Sequence, residues 1–382
     1  MKRILIIATR QIGDVLLTTP LIRATRQRWP DARIDVLGFE GQMGMLAGNP
    51  DLDECLGTPA RLGLMGGLRL AWRLWRQYDL AMVSQPGDRA HILGWIAASC
   101  RTGLLPEQGS SNWWKRRLLA HAVTSAGDLG SIHVVPEKLN LLAPWAQASR
   151  EATPIEVIPP ASRPLPEDLQ AVLRPGYLVV HAPSMWTYKQ WPLAHFAQLI
   201  RQLLDRGWQV VLTGSGSVRD QECLAALRPL GESPHLVDVS GRLDLGQLHC
   251  LLTSAGLFLG PDTSITHLAA AVGAPTVAIL GPTNPQRWGP WPKPIGNPGS
   301  VASFQRSAPR QTIGRVTILQ SAHACVPCGH AGCEDHLHSR SDCLSAIEAP
   351  EVLQLIEVLL GNARQLTPYA TRARCRFKAL RP

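Results

Sequence analysis

The sequence lacks long hydrophobic runs. It has 382 residues and is 45% hydrophobic, yet no uninterrupted apolar stretch approaches the roughly 18 residues that a membrane-spanning helix needs. The apolar segment at the start of the chain is soon interrupted by Arg10, Gln11 and Asp14, which is unlike a secretory signal peptide. We therefore expect a cytoplasmic protein, and its length is typical of two domains.

Two kinds of binding pattern are also missing. The glycine fingerprint G-x-G-x-x-G does not follow the first strand-like segment, so an NAD-dependent oxidoreductase is not indicated. The sequence contains no zinc-finger, helix-turn-helix or RNA-binding strand pattern, and its few aromatic residues (5%) do not alternate with basic ones along strands. The net charge of +9 therefore predicts an anionic partner other than nucleic acid.

The positive charge is concentrated in three segments, residues 72–77 (WRLWRQ), 112–123 (NWWKRRLLAHAV) and 371–382 (TRARCRFKALRP). Tryptophan beside lysine and arginine on helical segments is typical of contact with an anionic membrane surface. The alternative is an ordinary helix whose tryptophan faces the core and whose arginine is solvated.

Strand-like and helical segments alternate along the chain, which predicts an α/β protein. A buried strand at residues 2–8 leads into a helix, and Gly13 and Asp14 lie at that helix start. Asp14 either caps the helix or acts as a base at the mouth of a cleft. A second α/β half begins at residue 176 after a proline-rich stretch. We expect domains at residues 1–165 and 176–348, followed by a terminal helix and basic tail at 349–382.

The stretch from Leu259 to Trp291 predicts a strand, a turn, a helix and a second strand. Asp262, Thr263 or Ser264 can cap the helix, which contains His267 and ends at Gly273. The N-terminus of such a helix binds phosphate readily, and the loop GPTNPQRWGPW after the second strand would add a wall to the pocket. Alternatively, the polar residues only cap the helix and the histidine is half-buried.

Four of the nine cysteines lie close together in the sequence. They form the pattern C-x2-C-x4-C-x9-C within residues 323–343, and histidines are interspersed among them. Four soft ligands at short spacing predict a structural zinc site, although reduced thiols or a disulfide remain alternatives. The candidate ligands are Cys325, Cys328, Cys333 and Cys343.

Three stretches together resemble the ADP-heptose:lipopolysaccharide heptosyltransferases of glycosyltransferase family 9. They are RQIGDVLLTTPLIRATRQRWPDARIDVL, HAPSMWTYKQWP and GPDTSITHLAAAVGAPTVAILGPTNP. The resemblance implies a GT-B fold, in which two Rossmann-like domains with parallel sheets face a central cleft. The N-terminal domain would bind the acceptor and the C-terminal domain the nucleotide-sugar.

The same resemblance implies an activity and a location. The enzyme would transfer L-glycero-D-manno-heptose from ADP-heptose to the lipopolysaccharide inner core with inversion, and it would need no cofactor for catalysis. It would act in the cytoplasm, bound peripherally to the inner face of the inner membrane. The alternatives are another nucleotide-sugar, a different surface-polysaccharide acceptor, or a non-catalytic nucleotide-sugar-binding protein.

The resemblance also assigns site residues. Asp14 matches the carboxylate that takes the proton from the acceptor hydroxyl, and Lys189 matches the lysine that contacts the donor. Members of the family usually have glycine where this chain has Ser264. An acidic donor-site residue is expected after the GSGS loop, where Asp220 and Glu222 both qualify. The remaining donor-binding positions are Ser184, Asp262, Thr263, Ser264 and His267.

Overall fold

The computed structural model describes residues 1–107, 112–145, 155–228, 233–294 and 303–366. The basic tail at 371–382 lies outside the described residues.

The first half of the chain is built on a six-stranded sheet in which all strands are parallel. The strand order is β3-β2-β1-β4-β5-β6. The central strand β1 is apolar along nearly its whole length because both faces of a parallel sheet are covered. The strands are β1 (Arg3–Ala8), β2 (Arg33–Phe39), β3 (Glu54–Thr58), β4 (Tyr78–Val83), β5 (Ala98–Pro106) and β6 (His121–Ser125).

Helices connect these strands on both sides of the sheet. Two 3-10 segments, Glu40–Leu46 and Asn140–Trp145, complete the described part of this half. The helices are α1 (Ile12–Leu16), α2 (Thr19–Arg28), α3 (Leu64–Leu74), α4 (Asp88–Ala97), α5 (Trp113–Leu118) and α6 (Val134–Leu139).

The second half contains a seven-stranded sheet of order β12-β13-β11-β10-β7-β8-β9. Its strands are parallel except β12, which pairs antiparallel with β13. Without that edge strand, the order matches that of the first sheet. The strands are β7 (Leu178–His181), β8 (Val210–Thr213), β9 (Leu236–Asp238), β10 (Leu257–Pro261), β11 (Thr276–Ile279), β12 (Arg310–Ile313) and β13 (Val316–Leu319).

The second half also carries eight described helices. The last of them, α14, packs through Val352 and Ile356 on Phe196 of α8, so this terminal helix belongs to the second sheet. The helices are α7 (Glu167–Val172), α8 (Leu193–Asp205), α9 (Val218–Ala225), α10 (Leu245–Ser254), α11 (Ser264–Val272), α12 (Pro285–Trp288), α13 (Asp342–Ser345) and α14 (Ala349–Leu366), with a 3-10 turn at Thr187–Lys189.

The two halves share one apolar core. Ile6 and Leu16 from the first half belong to the same cluster of buried side chains as Val179 and Leu268 from the second. Apolar side chains from both halves therefore pack against each other, and the cleft lies where strands of both sheets end. None of the helices among the described residues is both long enough and apolar enough to cross a bilayer.

One basic segment differs from its predicted structure. Residues 112–123 were expected to be helical and to present their charge outward, but α5 ends at Leu118 and β6 begins at His121. The ammonium of Lys115 is buried, lies 2.5 Å from Asp88 Oδ1 and donates to the carbonyl of Pro86 at 3.0 Å. Its charge therefore stabilises the loop after β4 and is not part of a basic surface.

Candidate active site

A cleft of about 880 Å³ lies between the two halves. Each sheet reverses its strand order between two central strands, β1 and β4 in the first and β7 and β10 in the second. Ligands of such sheets bind at the carboxyl ends of the strands at this reversal. The segments that follow β1, β7 and β10 all line the cleft, and they carry the predicted site residues Asp14, Ser184, Lys189, Asp262, Thr263, Ser264 and His267.

The N-terminal ends of α1 and α11 approach each other across this cleft. A methyl group added to Gly13 would lie 3.5 Å from the Cα and Cβ atoms of Ser264, which is ordinary van der Waals contact. The close approach places Asp14, one residue further along α1, opposite the start of α11.

Asp14 is the predicted base and lines the cleft from the first half. Its side chain is 16% exposed, and its nearest cation is the half-exposed Arg10, whose Nε lies 3.8 Å from Oδ2. The backbone carbonyl of Asp14 accepts hydrogen bonds from Thr18 Oγ1 at 2.7 Å and Lys138 Nζ at 2.8 Å. The backbone is thus held firmly, while the carboxylate keeps lone pairs that can accept a proton.

The second half contributes a buried ion pair to the opposite wall. Lys189 Nζ lies 2.6 Å from Asp262 Oδ2, and the same oxygen accepts a hydrogen bond from Thr283 Oγ1 at 2.6 Å. Burial alone would raise the pKa of Asp262, but the charge of Lys189 and the hydrogen bonds from Lys189 and Thr283 outweigh it, and the net pKa is lowered. Burial likewise opposes the charge on Lys189, whose pKa is nevertheless raised by Asp262. Both groups are therefore charged at neutral pH.

His267 lies beside this pair, with Nε2 4.0 Å from Asp262 Oδ1. Burial lowers its pKa more than the nearby carboxylate raises it, so the ring is neutral at neutral pH. Its Nδ1 is buried and has no hydrogen-bond partner among the described residues. Buried polar atoms are normally satisfied, so this nitrogen is an exception within a residue that lines the cleft.

Helix α11 presents its first turn to the cleft. Thr263 is the N-cap residue, but among the described residues its side chain makes no capping hydrogen bond. The N–H groups of the first turn have no intrahelical acceptor and favour an anion. Ser264 is the first helical residue, and it is not among the described residues with positive φ, so its position does not require glycine.

The loop after β7 and the loop after β8 complete the wall that the second half contributes. Ser184 lines the cleft, and its hydroxyl donates to the carbonyl of Trp186 at 3.1 Å, which shapes the loop that carries Lys189. Asp220 also lines the cleft and accepts hydrogen bonds from the backbone and hydroxyl of Ser215, both at 2.7 Å. Glu222 is not among the residues that line it.

The predicted cysteine ligands are near each other but are not assembled. Cys343 is buried, whereas Cys325 and Cys333 are exposed. Burial, and then the charges of the other three thiols, raise the pKa of Cys343 to about 12. Within the described ranges, no group of three or more histidine, cysteine or acidic side chains is placed to hold a metal ion.

Several polar residues of the site were not predicted. Thr283, which holds Asp262, lies in the GPTNPQRWGPW loop that was expected to form a wall. The buried residues Glu137, Lys138 and Arg287 connect the two walls. Arg287 is 150 positions from Glu137, and Lys138 is 124 positions from Asp14, so no local pattern marks these pairs.

Comparison with known proteins identifies the family. Residues 68–311 match the family model described as "Glycosyltransferase family 9 (heptosyltransferase)". Lipopolysaccharide heptosyltransferase 3 from Escherichia coli is 28% identical over 293 residues, covering 73% of this chain and 83% of that protein. Lipopolysaccharide heptosyltransferase 2 from Salmonella typhimurium is 27% identical over 305 residues, covering 74% and 84%.

Solved structures share the fold. E. coli ADP-heptose lps heptosyltransferase II aligns with a TM-score of 0.68 and 21% identity, covering 95% of this chain and all of that one. The two halves with parallel sheets are therefore the expected GT-B fold, and the predicted resemblance is confirmed. The chain belongs to glycosyltransferase family 9, and it is a glycosyltransferase.

Proposed function

We propose that this enzyme transfers heptose from ADP-heptose to the inner core of lipopolysaccharide, with inversion at the anomeric carbon. The observation that carries the proposal is the placement of the Asp14 carboxylate and the Lys189–Asp262 pair on opposite walls of one cleft. The relatives described above support this choice of donor and acceptor, because their names are lipopolysaccharide heptosyltransferase 3 and 2. In this assignment residues 1–165 bind the acceptor and 176–348 bind the donor.

The geometry supports a single displacement. Asp14 takes the proton from the acceptor hydroxyl as its oxygen attacks the anomeric carbon, and the bond from that carbon to the ADP oxygen breaks. The leaving diphosphate gains negative charge, which Lys189 and the N–H groups at Thr263 and Ser264 stabilise. His267 donates or accepts one further hydrogen bond. These groups need no added cofactor for the transfer.

The proposal is tested by following ADP release from ADP-heptose by the purified protein, with and without a heptose-deficient lipopolysaccharide. Release that depends on the acceptor is the expected result, and mass spectrometry of the lipopolysaccharide should show one added heptose. If ADP binds but no heptose is transferred, the substrate assignment is wrong. The same assay with other nucleotide-sugars then identifies the donor.

We also propose that the enzyme works while bound to the inner face of the inner membrane. Helix α3 supports this, because four large apolar side chains on it are 57–83% exposed: Leu64, Met65, Leu68 and Trp72. Three of them follow at intervals of four residues, which places them on one face. Residues 55–78 contain four arginines and no acidic residue. An exposed apolar face with basic neighbours matches an anionic lipid surface.

The double variant Leu68→Ser/Trp72→Ser should bind phosphatidylglycerol-containing vesicles at least about tenfold more weakly, since each large side chain contributes ~1.5 kcal/mol or more when buried. Vesicle sedimentation measures the change. Val358→Ser removes an exposed apolar residue from α14 in the other half, and it should leave vesicle binding intact. Equal binding by the double variant and the unaltered protein would exclude α3 as the contact.

We propose, further, that the cysteine-rich segment holds a structural zinc ion. The ligand spacing supports this, as does the proximity of the other three thiols to Cys343. Elemental analysis should find about one zinc per chain, the number that a four-cysteine site binds. The Cys325→Ser/Cys328→Ser variant should lose the metal and melt at a lower temperature. Metal-free protein in which all nine cysteines titrate as thiols would refute the site.

A further inference from the structure

A buried ion pair connects the two halves of the enzyme beside the cleft. The two terminal guanidinium nitrogens of Arg287 on α12, Nη1 and Nη2, contact the carboxylate of Glu137 on α6 at 2.8 and 2.9 Å, and both side chains are almost fully buried. Glu137 also accepts from the Ser125 hydroxyl at 2.8 Å and the Ala126 N–H at 2.9 Å. A bidentate pair with its remaining lone pairs satisfied is geometrically specific, so it fixes α6 against the donor half.

Other contacts hold the same two segments together. His133, the N-cap residue of α6, accepts from Val135 N–H through Nδ1 and donates from Nε2 to the carbonyl of Gly289 at 2.9 Å. Burial lowers the pKa of His133 to about 3, so the ring stays neutral and keeps this tautomer. Asn284 Nδ2 donates to the carbonyl of Gly130 at 2.9 Å.

Lys138, the next residue on α6, contacts the first half beside Asp14. Lys138 is buried and does not line the cleft, so it does not touch the substrates. Its Nζ donates to the carbonyl oxygen of Asp14 at 2.8 Å and to Thr18 Oγ1 at 2.9 Å. Two adjacent residues of α6 thus make contacts in different directions. Glu137 binds Arg287 of the donor half, and Lys138 binds the backbone carbonyl of Asp14.

We propose that Lys138 is a positioning residue for Asp14, and that α6 sets the position of this base relative to the donor site. This role rests on the function proposed above, because it takes Asp14 as the base. The donor side of the connection passes from Asp262 through Thr283 to the neighbouring α12, which carries Arg287. The base and the ion pair that faces the donor are therefore connected through buried polar contacts and the short stretch of backbone from Thr283 to Arg287.

The charge of Lys138 gives this role a pH dependence. Burial lowers the pKa of Lys138 to about 8, and the nearby Asp14 offsets the shift only partly. The ammonium is therefore present below pH 8 and loses its charge as pH rises through it, which weakens the hydrogen bond that holds Asp14 because that bond is no longer charge-assisted. The charged or titratable groups around it are Asp14 and Arg10, Glu137, Arg287, His133 and His267.

The test compares the full chain with Lys138→Met, which keeps the side-chain length without the charge, and with Lys138→Arg, which stays charged at all working pH values. Lys115→Met is the matched control, since Lys115 is also buried and bonded to a backbone carbonyl. Lys138→Met should lower kcat about 10²-fold, as expected for a base displaced by ~1 Å, while KM for ADP-heptose stays within about twofold.

The pH profile separates positioning from general destabilisation. The unaltered enzyme should lose kcat above about pH 8 through Lys138, and both Lys138 variants should lack this alkaline limb. Lys138→Arg should also recover part of the lost kcat. An unchanged kcat in Lys138→Met, or an equal loss in Lys115→Met, would overturn the positioning role.

A second measurement does not depend on turnover. Hydrogen exchange of residues 10–18, followed by mass spectrometry, should be slow in the unaltered protein and faster in Lys138→Met. Protection, corrected for base catalysis, should also fall as the pH of the unaltered protein rises through 8. If no nucleotide-sugar is turned over, the proposed function fails. If exchange in this segment is the same in both proteins, the positioning of Asp14 by Lys138 fails.

Discussion

Replacing Asp14 by asparagine is expected to lower kcat by about 10²- to 10⁴-fold, the usual contribution of a general base. Asparagine has nearly the same size and cannot accept the acceptor proton as a carboxylate does. The backbone contacts of residue 14 with Thr18 and Lys138 are retained, so the protein should fold normally. ADP release in the presence of acceptor measures the loss, and calorimetry should show unchanged ADP binding.

A second carboxylate provides the comparison. Asp128 also lines the cleft from the first half, and its Oδ1 accepts a hydrogen bond from Trp288 Nε1 at 3.2 Å. Asp128→Asn should retain most of the activity because this carboxylate already has a partner from the donor half. If Asp128→Asn lost the activity and Asp14→Asn kept it, the base would be Asp128.

Replacing Lys189 by methionine should weaken ADP binding at least about tenfold and lower kcat by about 10²-fold, as loss of one charge-stabilising group does. Methionine fills the space of the lysine stem but leaves the carboxylate of Asp262 without its cation. The diphosphate would then face a buried negative charge where the ammonium had been. Titration calorimetry with ADP and the kcat of donor turnover measure the two effects.

The double variant Lys189→Met/Asp262→Asn separates two explanations. If Lys189 serves only to neutralise Asp262, removing both charges should restore ADP affinity. If its ammonium contacts the diphosphate itself, the double variant should remain as weak as the single one. Unchanged ADP affinity in Lys189→Met would show that neither explanation holds.

Local signals made much of the fold and of the donor site predictable. Helix α11 begins at Ser264 with Thr263 as its N-cap, and it ends before Gly273, whose φ of 85° lies in the left-handed region that glycine adopts easily. Asp14, Lys189 and Asp262 follow strand ends, and parallel strands bring their carboxyl ends to one edge of a sheet. These signals marked Asp14 and the start of α11, whereas Lys189 was assigned only through the family resemblance.

Contacts between distant parts of the chain were not predictable in this way. Arg287 and Glu137 are paired only after both halves have folded, and an arginine in a proline-rich loop is normally expected to be solvated. Lys115 was expected at the surface because it lies in a basic segment, yet it is buried beside Asp88. Periodicity and charge density describe a helix face, but they do not predict which side chain on a neighbouring element contacts it.

The apolar core shared by the two halves bears on how acceptor preference can diverge among related enzymes. Side chains from both sheets pack in one cluster beneath the cleft, and close packing makes such an interface sensitive to changes in volume. Exchanging the whole first half for that of a relative would require the facing positions of the second half to change at the same time. Substitutions in the cleft loops avoid this requirement, so new acceptors are reached more easily through loop evolution than through domain recombination.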